Sequence, residues 1–394
     1  MPSRNLPSFS RRSFLRLSAA AAAFRIVTEP MLAAAARHKP FSKDGVMIDS
    51  NENPLGPSQS ARDAISAIIP LGGRYLDNLT DDLVHAFAQQ EGLNPDYIHA
   101  FPGSTPALHF GVVAFTSAQK SYVTADPGYE AGMFAASTTE ARVVKVPLTK
   151  TYAHDVKAMI AAAPDAGLFY ICNPNNPTGT LTPHPDLEYL VENKPKGSIV
   201  MVDEAYLHFC DAPSTLDFVK AGKDVVVLRT FSKTYGMAGL RCGFAIARPD
   251  LLDKIMDRSG WNFMPITALV AASASLKDPS VVPERKRINA SVRQETFQWL
   301  DRNGYSYIAS ESNCFLLDTK RPGKQVIDAM AQQNVFIGRI WPIMPTCCRI
   351  TVGTHEEMER FQSALQKVMR GTTAFSLQPA RPIRSPRREA ALPT

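Results

Sequence analysis

The stretch RTFSKTYGMAGLRCGF at residues 229–244 sets Lys233 among hydroxyl and glycine residues. Thr230 and Ser232 offer hydroxyls, Arg241 a permanent cation, and Gly236, Gly239 and Gly243 admit close backbone approach. Such a set can hold a phosphate group beside a reactive amine. Other stretches carry complementary chemistry. VDEAY (202–206) offers Asp203 and, three residues on, Tyr206, while NPNNPTG (173–179) is a rigid proline turn ending in glycine that aims Asn176. PGST (102–105) precedes a helix with Pro106 suited to its first turn, so the Ser104 and Thr105 N–H groups can point at an anion. Tyr129 in PGY (127–129) is a flat stacking surface. Taken singly, PGST reads as a helix cap and Tyr129 as a packed aromatic. Taken together, these residues specify an aromatic ring bearing a phosphate, a hydroxyl and a basic nitrogen, linked to a lysine.

The elements that must position them alternate. KSYVTA (120–125), ARVVKVP (141–147), GLFYIC (167–172), SIVMVDE (198–204), DVVVLRT (224–230) and CGFAIA (242–247) are predicted strands, several of them apolar on both faces as buried parallel strands require. Helical segments at 105–116, 184–193 and 251–258 fall between them. The pattern predicts a layered α/β sheet, and ligands of such sheets lie outside the carboxyl ends of the strands, where the candidate residues stand. From about residue 266 the order changes to a long helical stretch (266–303), strands near 313–318, 335–339 and 347–352, and a helix at 355–370, which predicts a separate α+β domain.

In this order, SNENPLGPS (50–58), RYLD (74–77), NPNNPTG, VDEAY, SKTYGMAGLRCGF and RITVGT (349–354) make the chain resemble the fold-type I pyridoxal-5′-phosphate (PLP) enzymes of the class I/II aminotransferase group, and within it the histidinol-phosphate aminotransferase branch. The resemblance spans about residues 46–370. It implies a large domain with a mostly parallel seven-stranded sheet and a smaller α+β domain. It implies that Lys233 binds PLP covalently and moves the proton at the substrate carbon, that Asp203 pairs with the ring nitrogen, and that Asn176 and Tyr206 hydrogen-bond the ring oxygen. By the same resemblance Tyr129 stacks on the ring, while Thr230, Ser232, Arg241 and the Ser104–Thr105 amides hold the phosphate. Arg349 is implied to bind the oxo acid's carboxylate, a substrate phosphate, or both in turn, and Arg339 to be a second substrate-contacting arginine. Tyr75 is implied to reach the neighbouring subunit's cofactor phosphate, making a homodimer with a shared site. The substrates implied are an amino donor and a 2-oxo acid such as 2-oxoglutarate. The N-terminal arm has Phe41 where the branch carries a tyrosine, one hydroxyl fewer for a substrate phosphate. Decarboxylation of the phosphothreonine type, amino-acid oxidation, or a non-catalytic PLP-binding module are the other readings of the same motif set.

The ends of the chain read differently. Arg11–Arg12 before Ser13, Phe14 and Leu15, followed by a short Ala-rich run, fits a twin-arginine export signal over residues 1–36 and hence a periplasmic protein. Residues 37–60 are predicted as an N-terminal arm, 61–265 as the large domain, 266–370 as the small one and 371–394, rich in Pro and Arg, as a disordered tail. The formal charge of +6 comes from the arginines of the two ends. A near-neutral body offers no electrostatic footprint for nucleic acid. The six cysteines form no C-x-x-C pair, so no metal is expected.

Overall fold

The computed structural model describes residues 44–260 and 262–370. The export signal, Phe41 and the C-terminal tail lie outside the described residues. The strands in chain order are β1 (Val46–Ile48), β2 (Ile98–Phe101), β3 (Ser121–Asp126), β4 (Val143–Pro147), β5 (Ala166–Cys172), β6 (Ile199–Asp203), β7 (Val225–Thr230), β8 (Gly243–Ile246), β9 (Ser306–Ile308), β10 (Cys314–Asp318), β11 (Val335–Ile337) and β12 (Cys347–Thr351). Seven of them form one sheet in the order β2-β8-β7-β6-β5-β3-β4. Its pairs are parallel except at β8, which runs antiparallel to both β2 and β7.

Both faces of this sheet are buried, which explains the continuous apolar runs. Val123, Phe169, Val200 and Val227 pack on one face of the sheet, and their alternating neighbours Tyr122, Leu168, Met201 and Leu228 on the other. The register decides which strand ends stand abreast. Phe101 pairs with Gly243 and Gly243 with Thr230, so the turn after β2 is carried beside the end of β7. Cys172 pairs with Asp203, which sets the NPNNPTG turn beside VDEAY.

A second core, with Phe315, Leu317, Ile350 and Phe361, sits under the antiparallel sheet β12-β10-β9 and the parallel pair β1-β11. Two domain boundaries differ from the predicted ones. Val46 and Ile48 of the N-terminal arm bury in this second core, because β1 pairs along β11. Helix Ile266–Lys277, predicted to open the small domain, buries Ala268, Leu269, Ala271 and Ala272 in the large-sheet core instead. The predicted helix 266–303 is two helices, Ile266–Lys277 and Val281–Arg302. The break lies at Asp278, extended at φ −100°, ψ 98°, because Pro279 disfavours helical geometry in the residue before it. No described helix is long and apolar enough to cross a membrane.

Candidate active site

The Lys233 loop leaves β7 and returns as β8. Ser232 N–H donates to Thr230 Oγ1 at 3.1 Å, and the two hydroxyls bond each other at 2.9 Å. Arg241, in the left-handed region at φ 64°, turns its Nη1 to within 3.4 Å of Ser232 Oγ and Nη2 to within 3.3 Å of Pro102 O. Two glycines permit this. A Cβ on Gly103 would stand 2.2 Å from Arg241 Nη2, and one on Gly243 would stand 2.8 Å from Ser104 N. Helix Ser104–Phe115 therefore begins against Arg241, with Gly103 as its N-cap and no side chain capping its first N–H groups. Two hydroxyls, a guanidinium and uncapped helix amides thus meet in one small concavity, the donor set a phosphate dianion needs.

Asp203 stands at the end of β6, buried at 5% exposure. Tyr170 O–H donates to its Oδ2 at 2.9 Å and Ala205 N–H to its Oδ1 at 3.1 Å. Burial outweighs these bonds and raises its pKa to about 6. A buried carboxylate with only neutral partners fits a protonated ring nitrogen. Across the site, burial and the like charge of Arg349 lower the Lys233 amine to about 8. Lys233 Nζ lies 3.4 Å from Ser50 O and 5.7 Å from the centre of the Tyr206 ring.

Tyr206 accepts from Asn51 Nδ2 at 3.0 Å, which leaves its own O–H to donate elsewhere. Asn176 Oδ1 accepts from Arg349 Nη1 at 2.9 Å, so its NH₂ is turned to the other side. Arg349 is buried, its Nη2 donates to Asp49 O at 2.6 Å, and among the described residues its Nε has no hydrogen-bond partner. Tyr129 is partly buried and packs against the core that holds Tyr122, Tyr170 and Tyr206. Arg339 pairs with Glu130 and lies over the Trp341 ring at 4.9 Å, while Arg349 lies 5.7 Å from that ring.

The structure thus places the predicted residues at neighbouring strand ends and turns, apart from two. Tyr75 is 75% exposed, its ring 5.3 Å from that of Phe263. Arg339 stands at the rim, already engaged by an acid. Four contributors carry no role in the sequence reading. Tyr170 lies inside a run that reads as plain core. Asn51 belongs to the SNENPLGPS motif, and its φ of 53° with 1% exposure marks it as a fixed junction between β12 and Tyr206. Glu130 follows Tyr129 and Trp341 stands two residues after Arg339, and that adjacency is the only signal they give.

A model of the aminotransferase class I and II family matches residues 43–365. The chain belongs to that family. A histidinol-phosphate aminotransferase of Moorella thermoacetica is 33% identical over 335 residues, covering 83% of this chain and 86% of the relative. One from Cupriavidus pinatubonensis is 34% identical, covering 82% and 88%. The crystal structure of histidinol-phosphate aminotransferase from Sinorhizobium meliloti in complex with pyridoxal-5′-phosphate superposes with a TM-score of 0.76 at 27% identity, over 82% of this chain and 90% of that one. This aminotransferase is a PLP-dependent transaminase of fold type I, acting on an amino donor and a 2-oxo acid. The decarboxylase reading is not favoured. The residues fit the cofactor: the helix-start concavity suits its phosphate, Asp203 its ring nitrogen and Lys233 its aldehyde.

Proposed function

We propose that this aminotransferase moves an amino group from an amino acid or amine donor to a 2-oxo acid such as 2-oxoglutarate, with the roles its site geometry supports best. The observation that carries the reading is that Lys233, just after β7, feels the charges of both Arg349 on strand β12 and Asp203 at the end of β6. PLP, when bound, supplies the electron sink that makes a proton at the substrate carbon removable.

The protein's own residues do the rest. Asp203 holds a proton on the ring nitrogen, Asn176 and Tyr206 hold the ring oxygen, and Tyr129 covers one ring face. Thr230, Ser232, Arg241 and the Ser104–Thr105 amides anchor the phosphate. Lys233 removes and returns the substrate proton, for which an amine lowered to about 8 is matched near neutral pH. The unpartnered Arg349 Nε and its neighbouring Nη groups receive the substrate carboxylate, with Asn176 and Asp49 fixing the guanidinium plane. Arg339 faces the distal end of the substrate. Tyr75 belongs to the partner's site in a homodimer: Ile69, Leu71, Tyr75 and Phe263 are exposed large apolar side chains of the kind such an interface covers.

The donor is tested by loading the protein with PLP and offering histidinol phosphate, phosphothreonine, aromatic amino acids and arginine. Formation of pyridoxamine phosphate with one donor identifies it; carbon dioxide release with PLP retained, or turnover only in air, replaces transamination by decarboxylation or oxidation. Export to the periplasm through the Arg11–Arg12 signal is part of the proposal. Replacing both arginines by lysine is then expected to leave an unprocessed chain in the cytoplasm, and processing that persists in that variant refutes the signal.

A further inference from the structure

We propose that Glu130 is a specificity-determining residue, an internal competitor for the guanidinium of Arg339 that lowers the site's preference for an anionic over an uncharged distal end. The inference rests on the proposed placement of Arg339 at the distal end of the substrate.

Glu130 directly follows the stacking residue Tyr129, so its place beside the cofactor ring is set by the turn after β3. Its Oε2 accepts from Arg339 Nη2 at 2.5 Å, across 209 residues of sequence. Arg339 follows β11 of the smaller sheet pair, so this bond links that part of the chain to the turn that carries the stacking tyrosine. The Glu130 side chain is 20% exposed and that of Arg339 45%. Trp341, 2% exposed and anchored through Nε1 to Gly128 O at 3.0 Å, lies under both arginines. The two guanidinia therefore flank one fixed indole. A substrate held by its carboxylate on Arg349 extends along that indole toward Arg339.

The charge balance there sets how strongly a distal anion is preferred. Among the described residues Arg349 has no acidic ion-pair partner, its two bonded acceptors there being a carboxamide and a carbonyl. Arg339 has one, so the pair presents almost no net charge. A distal carboxylate or phosphate must displace Glu130 or sit beside it against like-charge repulsion. A distal group without charge incurs neither cost. The same competition acts on both half-reactions, because donor and acceptor use one pocket.

The test compares 2-oxoglutarate with 2-oxopentanoate, which has the same carbon chain and lacks only the distal carboxylate. Single-turnover kcat/KM is measured on the pyridoxamine-phosphate form of wild type, Glu130→Gln and Arg339→Gln. Glu130→Gln keeps the side chain's size and removes its charge. The ratio of kcat/KM for 2-oxoglutarate over 2-oxopentanoate is expected to rise on the order of fivefold in that variant, mainly through KM. It is expected to fall below wild type in Arg339→Gln. A ratio unchanged or lowered in Glu130→Gln, with the Arg339→Gln ratio lowered, overturns the role of Glu130 and leaves Arg339 in place. A ratio unchanged in Arg339→Gln overturns the placement of Arg339, and the inference with it.

Discussion

The Arg349 guanidinium donates to the Asn176 carboxamide oxygen at 2.9 Å, joining strand β12 to the turn after β5. One bond thereby fixes two orientations, that of the Asn176 carboxamide and that of the Arg349 guanidinium plane, and the proposed roles of both residues depend on it. Arg349→Lys keeps the charge and loses the fork. The variant is expected to lose on the order of tenfold to a hundredfold in kcat/KM for the 2-oxo acid, with covalent PLP retained. Steady-state kinetics with 2-oxoglutarate measure it, and an undiminished kcat/KM excludes Arg349 as the carboxylate ligand.

The same arginine acts on Lys233 at a distance. Burial first, then the positive charge of Arg349, lowers the amine to about 8 from an ordinary value of 10.5. Only the neutral amine attacks an aldehyde, so the rate at which cofactor-free protein captures PLP covalently is expected to rise with pH through a midpoint near 8. Removing the like charge in Arg349→Gln stabilises the ammonium form and moves the midpoint upward. Stopped-flow absorbance across pH 6–10 measures both, roughly the range over which such an amine titrates. Equal midpoints in the two proteins rule out this electrostatic coupling.

Gly103 tests the phosphate cup without touching a polar side chain. At its φ of 85° a Cβ would stand 2.2 Å from Arg241 Nη2, so an alanine both strains the backbone and pushes the guanidinium away. Gly222, at φ 70° with nothing within 4 Å, carries the strain alone. Both Gly103→Ala and Gly222→Ala are expected to lower stability by about 1 kcal/mol, and Gly103→Ala alone to weaken PLP binding, on the order of tenfold. Thermal melts and PLP titrations separate the two effects. Equal PLP affinities in the two variants count against Arg241 as a phosphate ligand.

The residues legible in the sequence are those whose chemistry has no structural substitute. A lysine among hydroxyls and glycines, an acid ending an apolar strand and a proline turn ending in glycine are local patterns, and each stands in a loop or at a strand end where its side chain is not needed for packing. Tyr170 is not legible, because AGLFYIC is buried on both faces and a tyrosine there looks like core; the β5–β6 register alone puts its hydroxyl on Asp203. Glu130 and Trp341 act through Arg339, and the Glu130–Arg339 contact spans 209 residues, so no local pattern announces it. Strand β2 escapes the sequence pattern because it has only four residues and pairs with β8 alone at the edge of the sheet. The break at Asp278–Pro279 has a visible cause in the proline, but the helical periodicity on either side outweighs it.

Tyr75 gives the proposed shared site its sharpest test. Its ring rests on Phe263 at 5.3 Å and stands 75% exposed, so within one chain it neither fills the pocket nor caps the cup. If it serves the partner's cofactor phosphate, Lys233→Ala and Tyr75→Ala damage opposite members of each site in a mixed dimer. One site then combines both lesions and the other is intact. Refolding or co-expressing the two variants together is expected to restore about a quarter of wild-type activity per chain, since half of randomly assorted dimers are mixed and each holds one sound site. The Lys233→Ala protein alone is expected to be inactive, and the Tyr75→Ala protein alone weak in PLP binding. If Tyr75 acts within its own chain, each protomer of the mixed dimer keeps its own defect, and activity stays at the average of the two variants.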